Sequence, residues 1–367
     1  MTASLAPVPT STVSRADARW LRLVLVAAGL LIGVVAGEIF FRIVPFERVK
    51  YEVRYGHFSG NQVRRFLEYD PDLTFRNRRG TSFPDTGVSI NAFGLRGPEI
   101  AAVKKPGVRR VLCLGDSCTF GALHPYPELL QSALDERAPG AFEVLNGGVI
   151  GYTSVHGLRW LEDDLLTLEP DVVTLYFGWN DMWREKDSAI RDWFRSHVSG
   201  EPQPWFHSYF VDAVSRAKVF VENSLGRTSP QVPLPQYRQV LARFSVLGRE
   251  HRFLPMYLTA PAGFDDDHTP AWLVEQGFLT RDDSAPALRR AYNEALVAVA
   301  QQQHRPFVDL AKEIESWGGR RLFGDPDHDP IHPNEAGYHR IAVVLADEIL
   351  RLTGATTTAP TKASASR

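Results

Sequence analysis

The chain has 367 residues, of which 44% are hydrophobic and 23% are charged, and its formal net charge is -2. This length allows one large buried core with appended segments, and the composition is that of an ordinary globular protein. The near-neutral charge argues against nucleic acid as a partner, as does the lack of a zinc-finger pattern, an aromatic RNA-binding strand or a long basic tract. Two cysteines, Cys113 and Cys118, are too few for a disulfide framework.

The amino-terminal region is predicted to be a membrane anchor behind a short disordered head. Residues 1–18 are rich in Ser, Thr, Ala and Pro, which is typical of disorder. Residues 23–37 carry no charge, and the apolar run continues past Glu38. Because a spanning helix needs about 20 mostly apolar residues, we predict a transmembrane signal-anchor helix over residues 19–44, through which the protein contacts the membrane. A cleaved signal peptide is the alternative, since residues 34–36 suit a cleavage site, but the apolar residues after Glu38 favour a retained anchor.

The orientation of this helix does not follow from its flanking charges. Basic residues stand on both sides of the span, namely Arg15, Arg19 and Arg22 before it and Arg42, Arg48, Lys50 and Arg54 after it. A short head before a long globular region suits a signal-anchor whose large domain lies outside the cytoplasm. We therefore expect a single-pass membrane protein with a periplasmic or cell-surface domain.

Two further regions follow the anchor. Short alternating segments at residues 69–76 and 87–96, broken by Gly and Pro, predict a small β-rich layer over residues 45–105. Beyond it, apolar runs typical of buried strands alternate with helical patterns, which predicts a doubly wound α/β domain with a parallel sheet over residues 106–352. The predicted strands are 110–114, 142–145, 172–177, 253–258 and 307–310, and the predicted helices include 127–134, 285–303 and 336–352.

Two long connections interrupt this alternation, at residues 182–235 and 262–284. Both leave the carboxyl edge of the sheet, where ligands bind in such folds. The first is rich in aromatic residues, which could bind a sugar or an acyl chain, but we interpret them as the core of packed helices. The Thr-, Ala- and Ser-rich tail, residues 353–367, is predicted to be disordered.

Three residues supply the parts of a serine nucleophile and its base. Ser117 follows the apolar run 110–114, at the point where a strand should give way to a helix. Ester hydrolysis by serine also needs a base, for which imidazole is suited, and a group that orients this base. His332 is the candidate base, and Asp329, three residues earlier, is the candidate orienting acid. We predict these three as the catalytic residues.

The negative oxygen of the tetrahedral intermediate needs preorganised donors. The candidates are the backbone N–H groups of Ser117 and Gly151 and the side-chain amide of Asn180. A glycine at position 151 lets its amide approach the reacting carbonyl without a Cβ in the way. Asp116 and Asp181 are interpreted as supporting acceptors of hydrogen bonds that fix the loops, and not as catalysts.

Four segments, in order and at plausible spacing, together resemble the SGNH, or GDSL-type, hydrolase family. They are Gly-Asp-Ser at 115–117, the glycine-rich segment 146–154, Gly-Trp-Asn-Asp at 178–181 and Asp-Pro-Ile-His at 329–332. The resemblance covers residues 109–352 and places Gly151 at the oxyanion position. It departs from the motif's name at Cys118, where that name has leucine, a position that varies widely.

The resemblance implies a flavodoxin-like three-layer α/β/α fold with a five-stranded parallel sheet. It also implies ester, thioester or acyl-transfer chemistry without a metal or another cofactor. Residues 90–98 look like the corresponding segment of bacterial membrane-anchored members, which are generally extracytoplasmic. This second likeness supports the outward orientation of the large domain.

Two competing sites fit the sequence less well. The elbow of α/β-hydrolases is G-x-S-x-G, whereas Thr119 stands at the place of the second glycine, and the acid of that fold lies on a separate loop. Asp327, His328 and His339 stand near His332 and suggest a metal site. We interpret them as a polar turn, because structural zinc sites usually recruit four ligands that include cysteine, and we predict no metal.

The sequence therefore predicts a membrane-anchored, extracytoplasmic serine esterase that hydrolyses a carboxylic ester, whether an acylated glycan, a lipid or a small ester. An O-acyltransferase that modifies a cell-surface glycan would use the same residues. A third hypothesis is a non-catalytic surface protein that binds a glycan or another partner. The presence of His332 and Asp329 counts against it, because binding alone needs neither.

Overall fold

The computed structural model describes most of the chain. The described residues are 15–55, 62–184, 193–194, 197–200, 208–225, 229–264 and 268–355. Most of the residues predicted to be disordered, 1–18 and 353–367, lie outside these ranges, as do parts of both long connections. Residues 15–18 are instead helical, as is Thr353, so the disorder was predicted over too many residues at both ends.

The amino-terminal part consists of two helices, α1 (Arg15–Ile43) and α2 (Phe46–Arg54). Within α1, Arg19–Ile43 is long and apolar enough to cross a membrane, with a mean hydropathy of 2.5 over its most apolar 18 residues, none of which is buried in the chain. This segment coincides with the helix predicted over residues 19–44. A membrane anchor and a signal sequence share these properties.

The region before the main domain contains two small antiparallel pairs. Strand β1 (Leu67–Asp70) pairs with β2 (Thr74–Asn77), and β3 (Thr81–Phe83) forms a hairpin with β4 (Val88–Ile90). Single bridges from Arg96, one to the end of β4 and one to Asn146, join this hairpin to the edge of the main domain. The β-rich layer is therefore attached beside the site predicted from the sequence.

The main domain is built on a five-stranded parallel sheet, as predicted. Its strands are β5 (Arg109–Gly115), β6 (Phe142–Gly148), β7 (Val172–Tyr176), β8 (Leu254–Leu258) and β9 (Phe307–Val308), in the order β6-β5-β7-β8-β9. Every residue of β7 is buried because helices cover both faces of the sheet.

Helices on the two faces complete a three-layer α/β/α fold. In chain order, the helices that follow β5 are α3 (Ser117–Phe120), α4 (Tyr126–Arg137), α5 (Ser154–Asp163), α6 (Trp179–Met182), α7 (Tyr209–Ser224), α8 (Leu234–Glu250), α9 (Ala271–Glu275), α10 (Ala285–Gln302), α11 (Leu310–Trp317) and α12 (Glu335–Thr353), of which α7 does not pack on the sheet. Helix α4 packs against α12, whereas α8 packs against both α5 and α10. A hairpin of β10 (Phe323–Asp325) and β11 (Asp329–Pro333) precedes α12.

The strand order places a crevice at the carboxyl end of β5. Strand β6 lies on one side of β5, whereas β7, β8 and β9 follow in turn on the other side. The direction in which the chain adds strands therefore reverses at β5. Open α/β sheets bind ligands at such a reversal. Ser117 directly follows β5, and Asn180 follows β7.

Strands β7 and β8 are each one residue shorter than the sequence predicts, and β9 is two residues shorter. The predicted strand 307–310 ends at Val308 because the side chain of Asp309 accepts a hydrogen bond from Lys312 N and begins α11. An N-cap aspartate favours this change from strand to helix.

The described residues of the first long connection pack in two different places. Trp183, Trp193 and Phe194 are buried in the main core. Helix α7 instead packs against α1, where the Glu38 carboxylate accepts hydrogen bonds from Ser208 Oγ at 2.8 Å and Phe210 N at 3.1 Å. The connection therefore links the main domain to the end of the apolar helix.

Candidate active site

The turn after β5 presents the Ser117 hydroxyl. Asp116 is the N-cap of α3, and its carboxylate accepts a hydrogen bond from Cys118 N at 2.8 Å. Ser117 is the first residue of this helix, which ends at Phe120 after one turn, with Gly121 as its C-cap. Its side chain therefore lies at the carboxyl edge of the sheet and is only partly buried.

The close approach of α3 to the neighbouring strand β6 depends on Gly148. A Cβ on Gly148 would overlap the backbone nitrogen and Cα of Phe120. The absence of a side chain at this position lets the one-turn helix pack directly on the end of the sheet. The position of Ser117 is thus set by contacts of its helix with the sheet.

A continuous chain of hydrogen bonds joins Ser117 to Asp329. His332 Nε2 lies 2.7 Å from Ser117 Oγ, and His332 Nδ1 lies 2.6 Å from Asp329 Oδ1. Because a carboxylate can only accept, Nδ1 carries the hydrogen and Nε2 is left to accept from the serine hydroxyl. The backbone N–H of His332 also donates to Asp329 Oδ1, at 3.3 Å. The structure therefore brings together all three residues predicted as catalytic.

Strand β11 holds both the acid and the histidine. Asp329 and His332 are the first and fourth residues of this strand, which pairs with β10 and directly precedes α12. The thiol of Cys118 donates to the carbonyl oxygen of Ile331 at 3.4 Å and so links the nucleophile turn to the same strand. The imidazole and the carboxylate are both half-buried, so the relay lies at the surface of the cleft.

Two backbone donors near the serine have no acceptor within the described chain. No described residue accepts a hydrogen bond from the N–H of Ser117 or of Gly151. The first residue of a helix has no intrahelical acceptor for its N–H, which explains the Ser117 donor. Gly151 adopts φ +88°, a conformation that favours glycine. Both are the backbone groups that the sequence indicates as oxyanion donors.

The side-chain amide of Asn180 is hydrogen-bonded in this structure. Its Nδ2 donates to the Tyr152 carbonyl oxygen at 3.0 Å and to Asp116 Oδ2 at 3.2 Å. The amide is thus held beside the residue that precedes Ser117. To donate to a substrate oxygen, it would have to share or release the longer of these two bonds.

Asp116 and Asp181 are buried acceptors below the site. Asp181 accepts from Ser154 N at 3.0 Å, from Ser154 Oγ at 2.5 Å and from Gly178 N at 3.1 Å, and so joins the loops after β6 and β7. Burial raises the pKa of Asp116 to about 6 and the pKa of Asp181 to about 7. Their contacts are with loop backbone and neighbouring side chains, in keeping with a supporting role.

Arg96 is a residue near the site that sequence reasoning missed. Its buried guanidinium donates to three successive carbonyl oxygens at the end of the nucleophile turn, those of Phe120 at 2.6 Å, Gly121 at 2.6 Å and Ala122 at 2.5 Å. The signal in the sequence was weak. Residues 90–98 stood out only by their likeness to a family segment, and nothing in them indicates contact with a loop about 25 residues later.

Two of the three candidate metal ligands near His332, Asp327 and His328, have other partners. His328 Nδ1 lies 3.0 Å from Asp325 Oδ2, and Arg320 donates to Asp327 at 2.9 Å. Among the described residues, no group of His, Cys, Asp and Glu side chains is arranged to hold a metal ion.

An open cavity of about 880 Å³ lies beside the serine. Ser117, Asp329 and His332 form one side of it, and the β3–β4 hairpin forms the other. The hairpin and the serine therefore line the same cavity. The small β-rich layer is thus part of the site.

Comparisons with known proteins identify a family. A family model described as the GDSL-like lipase/acylhydrolase family matches residues 113–340, which is more than half of the chain. A search of curated proteins found no match to this chain.

Solved structures with a similar fold have low sequence identity to this chain. A lipase/acylhydrolase from Enterococcus faecalis is 17% identical, with 70% of this chain and 100% of that chain covered and a TM-score of 0.46. LAE5, an alpha/beta hydrolase from the metagenome of Lake Arreo in Spain, is 18% identical, with coverage of 67% and 95% and a TM-score of 0.44. Axe2, an acetylxylan esterase from Geobacillus stearothermophilus, is 19% identical, with coverage of 68% and 97% and a TM-score of 0.40. Likeness of this degree says nothing about the substrate of the present chain.

Proposed function

Because the chain belongs to the GDSL-like lipase/acylhydrolase family, we propose that it is a membrane-anchored serine esterase with Ser117 as its nucleophile. One observation carries the proposal, namely the hydrogen-bond chain from Ser117 Oγ through the His332 imidazole to Asp329, with distances of 2.7 and 2.6 Å. A serine hydroxyl is activated when its base lies within hydrogen-bond reach and a third group orients that base.

In the first half of the reaction, Ser117 Oγ attacks the carbonyl carbon of the ester while His332 Nε2 takes the hydroxyl proton. Asp329 keeps the hydrogen on Nδ1 and stabilises the imidazolium that forms. The tetrahedral intermediate then collapses as His332 returns the proton to the alkoxy oxygen. The alcohol leaves, and the acyl group remains bonded to Ser117 Oγ.

In the second half, water replaces the alcohol. His332 Nε2 removes a proton from this water as its oxygen attacks the acyl carbon, and then returns the proton to Ser117 Oγ. The carboxylic acid is released, and the free serine is restored. The same three groups thus serve both steps, with the imidazole alternating between base and acid.

The oxyanion of both intermediates lies toward the backbone donors. The N–H groups of Ser117 and Gly151 have no acceptor in the described chain, which leaves them available to a substrate oxygen. Asn180 Nδ2 would join them as a donor to the substrate oxygen in place of its 3.2 Å hydrogen bond to Asp116. Loss of one such donor typically costs about 2.7–4 kcal/mol of transition-state stabilisation.

Membrane anchoring belongs to the same proposal. The apolar side chains of Arg19–Ile43 are exposed, and contact with lipid would remove them from water. Gly37 and Glu38, at the end of this segment, contact Phe210 of α7 and so attach the segment to the rest of the chain. We place the large domain outside the cytoplasm, in the periplasm or at the cell surface.

The catalytic part of the proposal is tested with an active-site phosphonate. The detergent-solubilised full chain is incubated with a fluorescent fluorophosphonate, and hydrolysis of 4-nitrophenyl acetate is measured in parallel. We expect labelling and turnover in the native protein, and neither in Ser117→Ala. A folded native protein that is not labelled, or a Ser117→Ala variant that is still labelled to the same extent, would contradict the assignment.

Localisation is tested separately. A reporter that is active only outside the cytoplasm is fused to the carboxyl end, and membranes are separated from soluble material. We expect reporter activity in the membrane fraction. A cytoplasmic signal would reverse the orientation, and soluble full-domain protein that lacks residues 1–36 would show that the segment is cleaved.

A further inference from the structure

We propose that the substrate is an ester that carries an extended apolar chain, held in the cavity between Ser117 and the β3–β4 hairpin. This inference rests on the proposed esterase function and names the substrate class of that site. Among the esters that the sequence allows, it selects a lipid-like ester over a small or heavily hydroxylated one.

The wall of the cavity next to the serine is apolar. It is formed by Val63, Phe66, Val88, Phe120, Leu123 and Ile150. The ring of Phe66 lies 5.7 Å from that of Phe120 and 4.9 Å from that of Phe83, so the wall is a packed surface with a defined shape. A surface of this kind gains free energy by removing methylene groups from water.

The two polar side chains of the hairpin that line the cavity, Asp85 and Thr86, are already paired. Both carboxylate oxygens of Asp85 accept from the Arg65 guanidinium, at 2.7 and 2.6 Å, and Thr86 Oγ1 donates to the Phe83 carbonyl oxygen at 3.1 Å. Recognition of a sugar requires donors and acceptors that converge on its hydroxyl groups. Apart from the catalytic groups and the exposed Arg65–Asp85 ion pair at the hairpin, the side chains that line the cavity are mainly apolar.

One feature at the mouth also points to an apolar ligand. Leu123, in the loop after α3, is 65% exposed, which is high for a large aliphatic side chain beside a catalytic group. It faces Gly87 at the turn of the hairpin, where a Cβ would lie 3.7 Å from Leu123 Cδ1. A chain that enters between these two residues would cover the leucine.

The cavity has room for a chain of several carbons. Its volume of about 880 Å³ lies within the range of about 300–1,000 Å³ that is usual for small-molecule sites. An acetyl group would leave most of this space to water, whereas a longer chain would displace it.

The test is a pair of ester series hydrolysed by the detergent-solubilised full chain. One series lengthens the acyl group of 4-nitrophenyl esters from acetate to octanoate, and the other lengthens the alcohol of alkyl acetates from methyl to octyl. We expect kcat/KM to rise by about fourfold per methylene in at least one series until the cavity is filled. A rise in the first series places the chain on the acyl side, and a rise in the second places it on the alcohol side.

A matched pair of variants ties the effect to the cavity. Leu123→Asn should lower the ratio of kcat/KM for the longest ester to that for the shortest by about tenfold, mainly through KM. Leu225→Asn changes a similarly exposed leucine outside the cavity and should leave the ratio unchanged. Equal effects of the two variants would contradict the proposed role of Leu123.

The outcomes separate this inference from the function on which it rests. If Ser117 is labelled and acetate is hydrolysed, but kcat/KM is flat or falls along both series, the apolar-chain proposal is wrong and the esterase proposal stands. If no ester in either series is hydrolysed in a Ser117-dependent manner, both proposals are wrong.

Discussion

At the scale of single residues, Arg96 connects the small β-rich layer to the nucleophile turn. Its guanidinium donates to the carbonyl oxygens of Phe120, Gly121 and Ala122, and its charge also stands over the ring of Phe120, with 4.9 Å to the centroid. Arginine is suited to this task because its planar fork presents several donors in fixed directions. The geometry makes Arg96 a positioning residue for the loop that carries the cavity wall.

Replacement of Arg96 should therefore reduce catalysis. We expect Arg96→Leu to lower kcat by about 100-fold, because a displacement of about 1 Å at the reacting centre can cost that much. Arg96→Lys keeps the charge and some donors, and should recover part of the loss. The measurements are kcat, the rate of fluorophosphonate labelling and the free energy of unfolding. An Arg96→Leu protein with unchanged kcat and labelling rate would show that the three hydrogen bonds do not position the serine.

Asp329 offers a second prediction at this scale. In Asp329→Asn, the side-chain amide can donate to His332 Nδ1, which moves the imidazole hydrogen to Nε2 and removes the acceptor for the Ser117 hydroxyl. We expect kcat to fall by about 10⁴-fold with little change in KM, by analogy with the corresponding change in serine proteases. The half-exposed position of Asp329 means that the free energy of unfolding should hardly change. A loss of less than tenfold would show that Asp329 does not orient the base.

At the scale of secondary-structure elements, the contact between α3 and β6 sets the position of the nucleophile. Gly148→Ala should lower the free energy of unfolding by about 1–3 kcal/mol, since overpacking at a close contact costs this much. It should also lower kcat, because relief of the overlap with Phe120 moves the turn that carries Ser117. Gly324→Ala is the matched control, as a Cβ there meets nothing within 4 Å. Urea unfolding and ester hydrolysis measure the two effects, and equal stability of both variants would contradict the prediction.

The elements themselves could largely be predicted from the sequence, since they are encoded by local patterns. The continuous apolar run before Ser117 predicts a strand covered on both faces, and β5 is such a strand. The three-residue spacing of Asp329 and His332 could be recognised because both lie on one short segment. The end of β9 was predicted two residues too late, since the capping role of Asp309 competes with an apolar run that continues to Leu310.

At the scale of the whole molecule, the contacts that could not be predicted join residues far apart in the chain. Glu38 and Ser208 are 170 residues apart, yet the glutamate accepts from the serine hydroxyl and from Phe210 N at the start of α7. Neither the hydrophobic periodicity nor a local sequence motif predicts such a pairing. The same is true of the cavity, whose walls come from the hairpin before the main domain and from the loop after Ser117.

The stability of the whole molecule should depend on pH through two buried carboxyl groups. Burial raises the pKa of Asp116 to about 6 and that of Asp181 to about 7, whereas an unfolded chain gives aspartate a pKa of about 3.9. Between these values the folded protein binds more protons than the unfolded chain, so the free energy of unfolding falls as the pH rises. This contribution is fully present below about pH 4 and is lost as the pH passes about 7.

Asp181→Asn should make the free energy of unfolding less dependent on pH in this window. The substitution replaces a titrating carboxyl by an amide of similar size that does not titrate. One carboxyl changes the free energy of unfolding by at most about 1.4 kcal/mol per pH unit. The measurement is urea unfolding of the detergent-solubilised full chain, followed by tryptophan fluorescence, between pH 4 and 8. Asp282→Asn, at an exposed aspartate, should leave the pH dependence as it is in the native protein.

If the native protein and Asp181→Asn lose stability with the same slope, Asp181 is ionised in the fold throughout this range. The three donors to its carboxylate, Ser154 N, Ser154 Oγ and Gly178 N, would then outweigh its burial.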